Sequence, residues 1–162
     1  MIGFEPYGLA VGRGVLALSP MPGRTRHYGT DRARLLDWRP GMVITMTPLS
    51  DLARKGSGGL PDDLAAAGIA WRHLPVTDFG APDAGVVAAW AEVEAEALAL
   101  LAQGGRVLVH CYGGCGRSGM AVLRLMIAAG EAPGAALARL RALRPCAVET
   151  DAQMRWAMAG GA

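Results

Sequence analysis

Apolar, β-branched runs bounded by glycine, proline or polar residues recur along the chain at Val15–Ser19, Met42–Thr47, Trp71–Val76 and Arg106–His110, and they predict four strands. Gly8–Val11, ahead of Gly12-Arg13-Gly14, reads as the first arm of an N-terminal hairpin. Between the strands the period of the apolar positions lengthens to that of a helix. Thr30 is placed to cap Asp31–Trp38, which must stop before Pro40. Pro61 opens a short helix that ends at Gly68. Asp83 caps a long helix in which Val86, Val87, Trp90, Val93, Ala97 and Leu101 share a face, with Glu92, Glu94 and Glu96 largely turned away from it. Gly104-Gly105 closes that helix. Ser118–Ala129 is apolar apart from Arg124 and predicts a buried central helix stopped by Gly130; Ala135–Leu143 and Thr150–Ala159 follow. Strands alternating with helices imply an α/β fold: a mainly parallel central sheet of four to five strands with helices on both faces.

The 162 residues suit one domain spanning 1–162, since a domain takes roughly 150 residues. Lys55-Gly56-Ser57-Gly58-Gly59 reads as a surface loop and not as a boundary. Sixteen basic against fourteen acidic residues leave a net charge of +2, which argues against a protein that binds nucleic acid by blanketing its phosphates. Three cysteines, an odd number, argue against a disulfide-stapled scaffold and leave at least one free thiol. The longest apolar stretch, Val86–Ala102, is broken by its three glutamates and cannot span a bilayer. Met1-Ile2-Gly3-Phe4-Glu5-Pro6 lacks the basic and apolar regions of a signal peptide. A cytoplasmic protein without membrane or nucleic-acid partners is the expectation.

One stretch carries chemistry: Val107-Leu108-Val109-His110-Cys111-Tyr112-Gly113-Gly114-Cys115-Gly116-Arg117-Ser118-Gly119. A buried strand runs into a glycine-rich loop that opens a helix, so backbone N–H groups and the positive end of the helix dipole converge on one point. Tyr112, Gly113, Gly114, Cys115 and Gly116 would bind a tetrahedral oxyanion through these groups, and Arg117 would grip two of its oxygens. A helix N-terminus beside a guanidinium favours a thiolate over a thiol. Cys111 would then attack phosphorus in line and form a phosphocysteine, with Ser118 hydrogen-bonded to the sulfur to ease its departure. His110 would orient the loop through backbone hydrogen bonds. This chemistry needs no metal or cofactor, and no His/Cys/Asp cluster has ligand spacing.

His110-Cys111-x5-Arg117-Ser118 resembles the signature loop of the cysteine-dependent protein tyrosine and dual-specificity phosphatases, and within them is most similar to the cyclin-dependent kinase-associated phosphatase group. The resemblance extends to Leu18-Ser19-Pro20-Met21-Pro22-Gly23, to His73–Asp83 and to Ala147–Gln153, covering roughly Leu16 to Trp156 and weak between Thr47 and Ala70. It implies a protein tyrosine phosphatase-like fold and a phosphorylated protein or peptide as substrate, phosphotyrosine with dual specificity open. Asp78 matches the family's general acid; Asp83 is better explained as the helix cap. Gln153 matches a glutamine that positions the hydrolytic water, while Thr150-Asp151-Ala152-Gln153 also fits a capping box, and the two roles are compatible.

Other residues keep two readings. Cys115 departs from the aliphatic residue usual in such loops and is either an apolar filler or a resolving thiol for oxidised Cys111. Cys146 reads as structural. Arg24, Arg26, His27 and Arg32 form a basic cluster, either a solvated face or a docking surface for an acidic phosphopeptide. Trp38, Trp71, Trp90 and Trp156 read as packing residues. Three functions compete with phosphoprotein hydrolysis. Hydrolysis of phosphoinositides or other small phosphate esters would favour lysines in the loop, which has none. A rhodanese-type sulfurtransferase would need no upstream acid. A phosphate-recognition module would bind without turnover.

Overall fold

The computed structural model describes residues 3–161; Met1, Ile2 and Ala162, which belong to the expected 1–162 domain, lie outside the described residues. Five strands form one sheet: β1 (Tyr7–Val11), β2 (Gly14–Ser19), β3 (Met42–Thr45), β4 (Ala70–His73) and β5 (Arg106–His110), in the order β1-β2-β5-β3-β4. β1 pairs antiparallel with β2 around the two-residue turn Gly12-Arg13, where Gly12 supplies a φ of +59°. The other pairs are parallel, with Leu18 opposite Val109 and Ile44 opposite Val109 on the two sides of β5. The expected sheet is therefore present, and β5 is its central strand.

Seven α-helices accompany the described strands: α1 (Tyr28–Trp38), α2 (Leu49–Arg54), α3 (Leu60–Ala66), α4 (Ala84–Ala102), α5 (Gly116–Ala128), α6 (Pro133–Leu143) and α7 (Asp151–Met158). Strand residues alternate between two cores. Leu16, Leu18, Met42, Ile44, Val107 and Val109 pack with α4 to α7, while Ala17, Val43 and Leu108 pack with Leu35, Leu52, Leu60 and Leu64 of α1 to α3. Covered on both faces, a strand must be apolar at every position, which is why β5 reads as an unbroken run. Burying one of its Val or Leu side chains is worth about 1.5–3 kcal/mol. Trp90 and Trp156 meet edge to face across α4 and α7, with ring centroids 4.9 Å apart. No helix of the described residues is long and apolar enough to cross a membrane.

Several expected details change. α1 starts at Tyr28, so Thr30 lies inside its first turn and caps nothing. Asp31 is buried instead, accepting the N–H groups of Gly23 at 2.8 Å and Phe4 at 3.4 Å, which ties the β2–α1 loop to the N-terminal segment. α2 was not expected: its six residues are too few to show a period. Val87 is 51% exposed, because it lies one helical step away from the buried stripe of Val86, Trp90, Val93, Ala97 and Leu101. The Lys55–Gly59 loop is anchored by Ser57, whose buried hydroxyl donates to the Pro22 carbonyl at 2.7 Å. β3 and β4 stop before Thr47 and Val76, although Leu74 N–H still donates to Thr45 O and Val76 N–H to Met46 O. The chain leaves the sheet there and turns towards the loop after β5.

Candidate active site

The segment from Cys111 to Cys115 leaves the carboxyl end of β5, the central strand, where open α/β sheets bind their ligands. Its carbonyl groups all point outward to donors. Met21 N–H donates to Tyr112 O at 3.1 Å, and Arg144 donates through Nη2 to Gly113 O at 3.0 Å and through Nε to Gly114 O at 3.1 Å. In a trans peptide the C=O of one residue and the N–H of the next point in opposite directions. The N–H groups of Gly113, Gly114 and Cys115 therefore face the interior of the loop. α5 begins at Gly116, two residues earlier than expected, and adds its N-terminal N–H groups and dipole. Gly114, at φ +72°, lies against β2: a Cβ there would come within 2.5 Å of Pro20 N.

The Cys111 thiol is buried at the base of this loop, 3.2 Å from Ser118 Oγ. Arg117 is only 3% exposed. Its Nη1 donates to Val76 O at 3.0 Å, its Nη2 lies 3.4 Å from Asp78 Oδ1, and its buried Nε has no acceptor among the described residues. The Nη end of the guanidinium is thus anchored to the β4–α4 loop. Asp78, 59% exposed on that loop, also accepts Phe79 N–H at 3.0 Å. Asp78, Phe79, Cys111, Tyr112, Arg117 and Glu149 together line a cavity of about 140 Å³, large enough for a phosphate. A larger hollow of about 400 Å³ lies at Ala91, Leu98 and Ile127, among groups with no comparable chemistry. Asp83 accepts Val86 N–H at 2.9 Å and is the cap of α4.

The family model for cyclin-dependent kinase inhibitor 3 matches residues 42–137. The mouse protein of that name is 36% identical over 120 residues, 74% of this chain and 56% of the relative. The chain belongs to the cyclin-dependent kinase inhibitor 3 family. The human member is 33% identical over 104 residues, 63% of this chain and 48% of the relative. The chain thus spans about half the length of the curated relatives it matches. Among solved structures, kinase associated phosphatase with its catalytic-site cysteine replaced by serine superposes with a TM-score of 0.83 at 24% identity, covering 97% of this chain and 93% of the other. Tk-PTP in its active form gives 0.74 at 28% identity, covering 96% and 97%. These likenesses agree with the phosphatase fold expected from the sequence.

Within this member of the cyclin-dependent kinase inhibitor 3 family, the His110 ring bridges the start of the loop and β3. Its ring Nδ1 lies 3.3 Å from the Cys111 carbonyl, which only accepts, so Nδ1 carries the proton. Nε2 then accepts from Thr45 Oγ1 at 2.7 Å, and that hydroxyl accepts from Trp71 Nε1 at 2.8 Å. Complete burial pushes His110 down to about 4, the nearby positive charge of Arg117 adds to the effect, and the bond to Cys111 O opposes it. The imidazole is therefore neutral at pH 7. An unfolded histidine titrates near 6.5, so between pH 6.5 and 4 the unfolded chain binds a proton that the native chain refuses. Stability falls as the pH is lowered through that window. We expect the wild type to lose about 2 kcal/mol more than His110→Gln on going from pH 7 to pH 5, measured by urea unfolding at both pH values. Equal losses would refute it.

Gln153 is buried, and its amide is engaged on both sides. Oε1 accepts Glu149 N–H at 2.9 Å and Nε2 donates to Gly80 O at 3.1 Å, while Thr150 Oγ1 accepts Gln153 N–H at 3.2 Å. Thr150 is thus the cap of α7, as expected, but the reciprocal bond reaches Glu149 N–H, one residue before the cap. Gln153 therefore braces the acid-bearing loop at Gly80.

The cysteines pair differently from the expectation. Cys115 is joined to Cys146 with Cα atoms 5.1 Å apart, so it is neither an apolar filler nor a resolving thiol for Cys111, which is the free cysteine. Closing a loop over a sequence separation of 31 is worth about 3–4 kcal/mol in the chain-entropy account. Sequence spacing could not show this pairing, which depends on the α6–α7 segment folding back over the loop. Arg144 was missed for the same reason. Its position just before Pro145-Cys146 carries no motif, yet it fixes two carbonyls of the phosphate loop and stacks over Tyr7 at 4.5 Å.

Proposed function

We propose that the chain, as one catalytic domain over residues 1–162, is a metal-independent phosphoprotein phosphatase that works through a phosphocysteine. The observation that carries this reading is that Cys111, Arg117 and Asp78 line one cavity with the loop whose Gly113 and Gly114 carbonyls Arg144 holds. Three phosphoryl oxygens would sit on the loop amides of Tyr112 to Gly116 and on Arg117, which neutralise the charge that develops on them. The Cys111 thiolate attacks phosphorus as the phosphorus–oxygen bond to the substrate breaks, and Asp78 protonates the departing oxygen. Water then attacks the phosphocysteine, its proton passes to the Asp78 carboxylate, and the phosphorus–sulfur bond breaks. Ser118 Oγ–H stabilises the leaving thiolate from 3.2 Å.

Gln153 would act in both steps as a positioning residue, by holding the Asp78 loop through Gly80. A phosphorylated protein is the substrate class that fits relatives named for a cyclin-dependent kinase and a neighbour named kinase associated phosphatase. The test is phosphate release from a phosphotyrosine peptide and a phosphothreonine peptide in EDTA. Turnover of the phosphotyrosine peptide is expected. Folded protein that binds either peptide and releases no phosphate would overturn the reading in favour of a recognition module.

A further inference from the structure

The basic cluster expected after the β2–α1 turn divides in the folded chain. Arg32 is neutralised, with Nη1 3.3 Å from Asp63 Oδ2. Arg24 instead meets a cation from elsewhere in the sequence. Its guanidinium carbon lies 5.3 Å from the centre of the Tyr112 ring, and Lys55 Nζ, from the end of α2, lies 5.9 Å from the same ring. Neither cation has a carboxylate partner among the described residues, in contrast to Arg32, Arg54, Arg72, Arg117 and Arg139. Tyr112 is the loop residue next to Cys111 and is among the residues that line the cavity. Two half-buried cations on one aromatic ring leave positive charge there that a bound anion would neutralise. Asp78, paired with Arg117, and Glu149 line the same cavity.

We infer that Arg24 and Lys55 form a subsite for an acidic side chain beside the phosphorylated residue, so that the preferred substrate is a phosphopeptide with Asp or Glu flanking the phosphate. The inference rests on the phosphatase reading and narrows its substrate class. Phosphate oxygens are held by the loop and Arg117, which leaves the Tyr112 rim to receive the neighbouring carboxylate. Such a contact lies at a half-buried edge still open to solvent, so its energy is modest and sensitive to salt.

The test compares phosphotyrosine peptides flanked by Glu, Gln or Lys, with p-nitrophenyl phosphate as a substrate that has no flank. Arg24→Gln with Lys55→Gln should lower kcat/KM for the Glu peptide about 5- to 10-fold and move the Gln peptide less than twofold. Hydrolysis of p-nitrophenyl phosphate should stay unchanged. Arg24→Lys with Lys55→Arg should keep the preference, and Lys55→Glu should shift it towards the Lys peptide, which a merely structural role would not do. The wild-type preference should also shrink as salt rises. Equal losses on the Glu and Gln peptides, or an unchanged preference, would overturn the subsite. Wild type inert towards p-nitrophenyl phosphate would instead refute the phosphatase reading, and the preference would then be read from peptide binding.

Discussion

Cys111→Ser is expected to lower kcat by about 10⁴-fold or more on every substrate, the scale seen when an enzyme loses its nucleophile. A serine hydroxyl fits the buried site and can keep its contact with Ser118, but it is not ionised at neutral pH, and the side chain bonded at that position is the Ser118 hydroxyl, which is not a base. The groups proposed to hold an oxyanion are positioned without the sulfur: the loop by Met21 and Arg144, and the guanidinium by Val76 and Asp78. Binding of inorganic phosphate, measured by calorimetry, should therefore change by only a few-fold. Turnover surviving in Cys111→Ser would remove the phosphocysteine from the mechanism. Loss of both turnover and phosphate binding would mean that the thiol also shapes the loop.

Asp78→Asn is expected to cost about 10²–10⁴-fold in kcat on a phosphotyrosine peptide, the usual worth of a positioned general acid. The loss should be much smaller on p-nitrophenyl phosphate, whose leaving group needs little help from a proton. The basic limb of the pH–rate profile, where a general acid gives up its proton, should flatten with the peptide. Asn can still accept Phe79 N–H, so the loop should keep its form, although the charge facing Arg117 Nη2 is lost. Asp83 supplies the contrast. As a helix cap it should affect stability by about 1 kcal/mol when replaced by alanine and leave the pH profile untouched. A profile that responded to Asp83 and not to Asp78 would reverse the assignment.

Much of this arrangement was legible before folding because it is encoded within short windows. The apolar run of β5, the glycines after it and the apolar α5 lie in one continuous stretch, so periodicity and composition alone located the strand–loop–helix unit. Asp83 and Thr150 were readable as caps because a cap acts on an N–H only three residues away. Thr30 was misread because the same local rule has no knowledge of a buried partner. Asp31 is held by Gly23 and Phe4, and the helix starts where that contact allows.

The chain by itself determined the α/β alternation and the β5–loop–α5 unit that carries Cys111 and Arg117, since each element follows from backbone preference and apolar spacing over about twenty residues or fewer. Tertiary structure decided what surrounds them. It brought Arg117 to Val76 and Asp78, aimed Arg144 at the loop carbonyls, engaged Gln153 with Gly80, paired Cys115 with Cys146 and set Arg24 and Lys55 on one tyrosine ring. The physical reason is common to all of them. These contacts join segments that meet only when the sheet and its two helical layers are packed, and no local preference of the backbone records which distant partner a side chain will find.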